Sequence, residues 1–182
     1  MLRSQPQVQP DSLLAMPHVS RLDLELRRLL AERAVAALGT LDDSGAPFVS
    51  MVPFAVETAS GCLVLHVSAL AAHTRQMHAE PRVSLLVTGA DDWAESPQAL
   101  PRVTISARAE FVPRDSEAEQ PLRAAYLARH PQAELMTQLP DFAFVRLQPT
   151  AARHVAGFGA ARSVALDELA AVLAGIVTEP RA

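Results

Sequence analysis

Residues Cys62 to Val87 (CLVLHVSALAAHTRQMHAEPRVSLLV) constrain the fold more than any other stretch of the chain. Leu63, Leu65 and Val67 alternate with Val64, His66 and Ser68, the period of a strand. Arg82 to Val87 is nearly all β-former, so two strands flank one short helix. The helix is expected to begin at Ser68, whose hydroxyl can cap a first turn, and to end at Glu80-Pro81, where proline blocks continuation. Such a helix start offers an anion its backbone N–H groups and a partial positive charge, with His73 and Thr74 about one turn further in.

The flanking chain extends this pattern. Residues 1–19, with Pro6, Pro10 and Pro17 among Gln and Ser, have no sustained period and read as a flexible N-terminal arm. Residues 20–182 read as a single domain. Ser20 with Asp23 predicts a capped helix that buries Leu22, Leu26, Leu29 and Leu30. Ala34–Leu41, Pro47–Glu57 and Leu63–Val67 then read as three strands in a meander, the first turn formed by Asp42-Asp43-Ser44-Gly45.

Later, Arg102–Val112 alternates, with Val103, Ile105, Ala107 and Ala109 on one face and Arg102, Thr104, Ser106, Arg108 and Glu110 on the other. A polar face on a central strand must meet water, a ligand or another subunit. A helix through Arg129 follows, packing Leu122 and Tyr126. A last long strand, Asp141–Val155, is expected to bend near Pro149, and Asp167–Ile176 reads as a final helix. The turn chemistry points to an antiparallel barrel rather than alternating βαβ layers.

Composition excludes several function classes. All 16 basic residues are arginines, so neither a lysine Schiff base nor a lysine-bearing P-loop can form. The net charge of −4 argues against nucleic acid as a partner. Cys62, the one cysteine, has apolar neighbours and reads as an inert buried thiol. No apolar run approaches the ~20 residues that span a bilayer, and the first residues lack a signal-peptide pattern, so the expected location is the cytoplasm, away from membranes. His66, His73 and His78 have no metal-ligand spacing, and no metal site is expected. No G-x-S-x-G elbow accompanies Ser50, Ser68 or Ser84, and Gly157-Phe158-Gly159 lacks the third glycine of a dinucleotide fingerprint. Trp93 lies in a loop, where it can anchor the loop or cover a ligand.

The element order, with Ser68–Gln76 (SALAAHTRQ), Pro81–Leu86 (PRVSLL), Tyr126–Pro131 (YLARHP) and Ala156–Arg162 (AGFGAAR), resembles the FMN-binding split-barrel superfamily typified by pyridoxamine-phosphate oxidase. Within it, the chain is most similar to the haem-utilisation (HugZ-type) branch. The resemblance implies an α+β fold, an antiparallel, Greek-key-like split β-barrel with peripheral helices. It also implies a homodimer with a small-molecule ligand in the cleft between subunits. FMN is the first cofactor expected, held by Ser50, Ser68, His73, Thr74 and Arg102 in a flavin-dependent oxidoreductase whose substrate is open.

Positions that match the oxidases' FMN ligands depart from the pattern. Ser50 and Ala55 stand for an arginine and a lysine, Ala71, Ala72 and His73 for a serine, arginine and lysine, and His130 for the substrate-phosphate arginine. These departures argue against pyridoxamine-phosphate oxidase activity itself. The alternative implied by the branch is a haem-binding or haem-degrading protein. Its candidates are His66, His73, His78, His130 and His154 for iron, and Arg75, Arg102 and Arg162 for the propionates. Such relatives commonly carry a C-terminal extension that supplies the iron ligand, which a chain ending at Ala182 is not expected to include. A third alternative is a structural dimer without cofactor.

Overall fold

The computed structural model describes residues 20–90 and 96–176. The predicted arm at 1–19 and Trp93 lie outside the described residues. Helix α1 (Arg21–Glu32) starts on the expected capping box: Ser20 Oγ accepts the Asp23 N–H at 3.2 Å, and the Asp23 carboxylate accepts the Ser20 N–H at 3.2 Å. Leu26, Leu29 and Leu30 are buried beneath it.

Strands β1 (Val35–Leu41) and β2 (Pro47–Pro53) form a hairpin through the turn at Asp42, whose carboxylate accepts the N–H groups of Ser44 and Ala46. The run read as one strand to Glu57 is broken at Phe54, after which β3 (Ala55–Glu57) pairs with β4 (Cys62–Ser68) instead of β1. Helix α2 (Ala72–Ala79), β5 (Arg82–Thr88), β6 (Arg102–Phe111), α3 (Glu119–Arg129), β7 (Phe142–Val155), β8 (Ala161–Val164) and α4 (Leu166–Ala174) follow. The sheet runs β2-β1-β5-β6-β7-β4-β3, every pairing antiparallel, with β8 added to β7. Its two ends are therefore the two halves of one segment, joined at Phe54, so the sheet curls round on itself as an α+β split barrel.

The register of β6 on β7 slips between Ser106 and Ala107, leaving Thr150 unpaired beside Pro149, where proline cannot donate to a ladder. The inner face packs Leu38, Leu65, Leu85, Ile105 and Leu147 against α1 and α4. A smaller cluster outside β4, around Val64, Leu122, Tyr126 and Phe144, seats α3. Arg129 fastens α3 to the end of α1: it donates to the Leu30, Ala31 and Arg33 carbonyls, which the helix leaves unpaired, and its guanidinium lies 4.9 Å from the Phe54 ring centroid. Arg162 on β8 bridges Asp23 of α1, at 2.6 Å, and Glu168 of α4.

Candidate functional site

The strand-helix junction after β4 gathers four of the five residues singled out from the sequence. Ser50 is the register partner of Leu38, which is fully buried, so the serine faces α2 inside the barrel. Its Oγ lies 3.0 Å from His73 Nδ1. Three residues on along the same helix face, Gln76 accepts a 2.6 Å bond from buried Thr40. These two contacts seat α2 across β1 and β2. Burial pushes the His73 imidazole below its usual range, so the ring is neutral at pH 7.

Ser68 takes a different part from the expected one. It is the last residue of β4, paired with Phe142, and α2 begins four residues later at Ala72, behind an N-cap, Ala71, that offers no side-chain bond. The Ser68 hydroxyl instead donates to Asp141 Oδ2 at 2.8 Å and accepts the Leu70 N–H at 3.2 Å. The Thr74 hydroxyl closes the same junction by donating to the Ser68 carbonyl at 2.7 Å. Ser68, Thr74 and Asp141 thus hold the turn at Ala69-Leu70-Ala71 in front of α2. Asp141 escaped the sequence reading as a site residue. Its only signal was a polar residue at the head of a β-patterned run.

Arg102 stands apart from this group. It opens β6, where its guanidinium donates to the Gln98 and Leu100 carbonyls at 3.3 and 3.0 Å. Its neighbour Val103 is fully buried, so Arg102 belongs with Thr104, Ser106 and Arg108 on the outer face of the sheet. Strands β1 and β5 separate it from Ser50. Further along that outer face runs a groove of about 690 Å³, lined among others by Gly39, Leu41, Arg82, Ser84, Ser106 and Arg108. Val49 and Met51, each about two-thirds exposed, and Leu86 lie beside it.

The histidines divide by access. His66 is sealed among Phe142, Phe144 and Tyr126, its ring stacked 4.9 Å from Phe142, with Nδ1 unpartnered among the described residues. Burial, reinforced by Arg123 and Arg114, pushes it down to about 4. His154 is fully buried with neither ring nitrogen partnered among the described residues, and burial, then Arg162, lowers it as well. His130 Nε2 lies 2.9 Å from the Phe54 carbonyl oxygen. None of these three can reach a ligand without unpacking the core. His78 is exposed and stacks on Phe111 at 3.7 Å, and His73 is half-buried, with Nε2 unpartnered among the described residues.

Burial likewise raises the Cys62 thiol and pushes the Tyr126 phenol up to about 12, which suits packing residues rather than acids or nucleophiles. Among the described residues no group of three or more His, Cys, Asp or Glu is placed to hold a metal ion, and no helix is long and apolar enough to cross a membrane.

Comparison with known proteins agrees with this architecture. The profile of the pyridoxamine 5'-phosphate oxidase family matches residues 22–156. The haem oxygenase HutZ of Vibrio cholerae is 36% identical over 150 residues, covering 82% of this chain and 84% of that protein. The non-canonical haem oxygenase HOZ of the Arabidopsis thaliana chloroplast is 34% identical over 139 residues, or 75% of this chain and 41% of that protein. Among solved structures, a haem-binding protein from Mycobacterium smegmatis superposes with a TM-score of 0.73 at 32% identity, covering 84% of this chain and 61% of that one. The chain belongs to the pyridoxamine 5'-phosphate oxidase family, in its haem-utilisation branch.

Proposed function

We propose that this chain is a haem-binding protein that works as a homodimer, with haem in a cleft to which each copy contributes a different part. The carrying observation is the separation of Arg102 from the His73 group. Arg102 lies on the outer face of the sheet, while Ser50 and His73 face inward with two strands between. One copy cannot bring both sets to one ligand, and two copies can. The bare apolar side chains of Val49, Met51 and Leu86 on that outer face favour a second copy there.

The donor set favours haem over FMN. An FMN phosphate wants cationic and hydroxyl donors at the start of α2, and this chain has Ala71, Ala72 and a neutral His73 there, with Ser68 turned to Asp141. A neutral imidazole with one nitrogen held by a serine and the other unpartnered is instead suited to iron. In this reading His73, oriented by Ser50, is the iron-facing group. Thr74, Ser68 and Asp141 fix its approach, and Arg102 of the second copy receives a propionate. Bound haem supplies the iron and its oxygen chemistry, and the chain supplies binding and orientation. The kinship with two haem oxygenases supports the same ligand class.

Titration of the purified protein with haem and with FMN tests the reading. Haem should bind at micromolar concentration or below with a shifted Soret band, and FMN more weakly. Arg102→Ala and His73→Ala should each weaken haem binding, and mixing the two variants should restore sites, because a heterodimer holds one intact combination. Equal binding by the mixture and the separate variants would refute the shared cleft, and absence of haem binding would refute the ligand.

A further inference from the structure

The register across the middle of the sheet builds a trench in its outer face. Gly39 of β1 pairs with Ser84 of β5, Ser84 with Ser106 of β6, and Ser106 with Ala151 of β7, so one whole rung consists of small residues. Successive outward-facing rungs lie about 7 Å apart along the strands, wide enough for the thickness of a flat molecule. One bank of the trench is the next rung, where Arg82 and Arg108 stand directly opposite each other. The other bank carries Leu86 and Thr104. The floor and the arginine bank line the groove of about 690 Å³ described above.

Like charges opposed across an antiparallel pair are destabilising. Glu80 bonds only one of them: its carboxylate takes Arg82 through two bonds of 2.9 and 2.8 Å and acts on Arg108 through charge alone. Arg108 makes no hydrogen bond or ion pair among the described residues, and the hydroxyls of Ser84 and Ser106 sit on the adjacent rung. Two facing guanidiniums that share one carboxylate, over a floor of hydroxyls and small side chains, keep a net positive charge and are a ready partner for a second carboxylate.

We propose that this trench is a second subsite, in which Arg108, backed by Arg82 and the hydroxyls of Ser84 and Ser106, holds the carboxylate edge of a flat ligand. The proposal rests on the haem reading for the ligand's identity, and that reading makes the ligand a tetrapyrrole carrying propionates. Arg102 and Arg108 of one copy lie six residues, or about 20 Å, apart along β6, farther than the two adjacent propionates of one ring can span, so the carboxylate edge meets Arg108 of one copy and Arg102 of the other. The ring would be recognised by its carboxylates at the Arg108 end as well as by its metal.

The test compares haem, metal-free protoporphyrin IX and the dimethyl ester of protoporphyrin, each titrated into the parent, Arg108→Ala and Arg108→Lys. The free-acid porphyrin should bind the parent at least about 10-fold more tightly than the ester. Arg108→Ala should lose that factor for the free acid while leaving the ester unchanged, and Arg108→Lys should retain part of it. Because the substitution removes a like-charge pair, Arg108→Ala should melt at or above the parent's temperature, which separates lost binding from lost folding. If Arg108→Ala binds haem and the free-acid porphyrin as the parent does, the subsite is refuted and the haem reading stands. If Arg108→Ala turns a dimer into a monomer, a second copy fills the trench and the subsite is refuted. If the parent binds no haem at micromolar concentration, the haem reading fails and takes the subsite with it.

Discussion

Ser50 Oγ lies 3.0 Å from His73 Nδ1, a contact that joins a strand of the barrel to the helix that crosses it. Ser50→Ala removes one hydrogen bond in a half-buried setting, which should cost about 1 kcal/mol of stability or less. Its effect on ligand binding should be larger. With Nδ1 released, the ring loses its fixed orientation, and haem affinity should fall several-fold with a changed visible spectrum. Parallel urea unfolding and haem titration check the pair of outcomes, and unchanged affinity would remove Ser50 from the site.

Arg162 joins two helix starts. Asp23, which closes the capping box of α1, and Glu168, in the first turn of α4, both bind it. Arg162→Met would leave two carboxylates facing each other, at a cost of roughly 2–3 kcal/mol, between the values for exposed and buried pairs. Urea denaturation at pH 7 measures this loss.

The same latch sets an acid limit. Burial alone would raise the Asp23 carboxyl, but its contact with the Arg162–Glu168 pair and the bonds donated by Arg162 and the Ser20 N–H hold it down to about 2, against an ordinary 3.8. A depressed carboxyl stabilises the fold fully above about pH 4, and the contribution is lost as pH falls toward 2. Asp23→Asn should therefore be less stable than the parent at pH 6, with the gap closing below pH 3.

His66 adds a second acid response, at higher pH. The unfolded imidazole takes a proton near its ordinary 6.5, whereas the sealed ring resists until about 4. The fold thus carries the full benefit of a neutral His66 above about pH 6.5 and loses it as pH falls from there toward 4. His66→Phe, which keeps an aromatic ring among Phe142, Phe144 and Tyr126, should flatten the stability profile between pH 6.5 and 4. A profile parallel to the parent's would assign the slope to other groups.

Arg129→Ala should be among the most damaging substitutions outside the apolar core. It strands the Leu30, Ala31 and Arg33 carbonyls at the end of α1 and strips the guanidinium from the Phe54 ring. A loss of about 3 kcal/mol or more is expected by denaturant unfolding, partly recovered in Arg129→Lys.

Much of the fold was legible because its signals are local. The capping box at Ser20 and Asp23, the turn at Asp42, the alternation of Arg102–Val112 and the irregularity near Pro149 each state their geometry within a few residues. Phe54 was not read as a break although Pro53 stands before it: apolar residues continue the strand pattern on both sides, and the bend comes with the change of partner from β1 to β4. Ser68 misled for a related reason. Its capping chemistry is real, but Asp141 competes for the hydroxyl from 73 residues away, and no local pattern reports that distance. The pairing of Ser50 with His73 was likewise a list of two polar residues until the barrel brought them together. Arg129 was hidden because its role depends on where another helix ends.

The closure of the sheet at Phe54 has a mechanical meaning. Most sheets that curl round must finish by zipping one edge strand to another, and that seam is where they fray. Here the pairing order leaves from β2 and returns to β3, and the link between them is a covalent bond with a fully buried phenylalanine beneath it. The ring therefore has no edge-to-edge seam to unzip between β2 and β3. Phe54 is pinned at that link: its N–H donates to the Ala34 carbonyl at 3.1 Å, its carbonyl oxygen lies 2.9 Å from His130 Nε2 and its ring lies under Arg129, so the junction between Ser50 on one arm and Ser68 on the other is held from both sides.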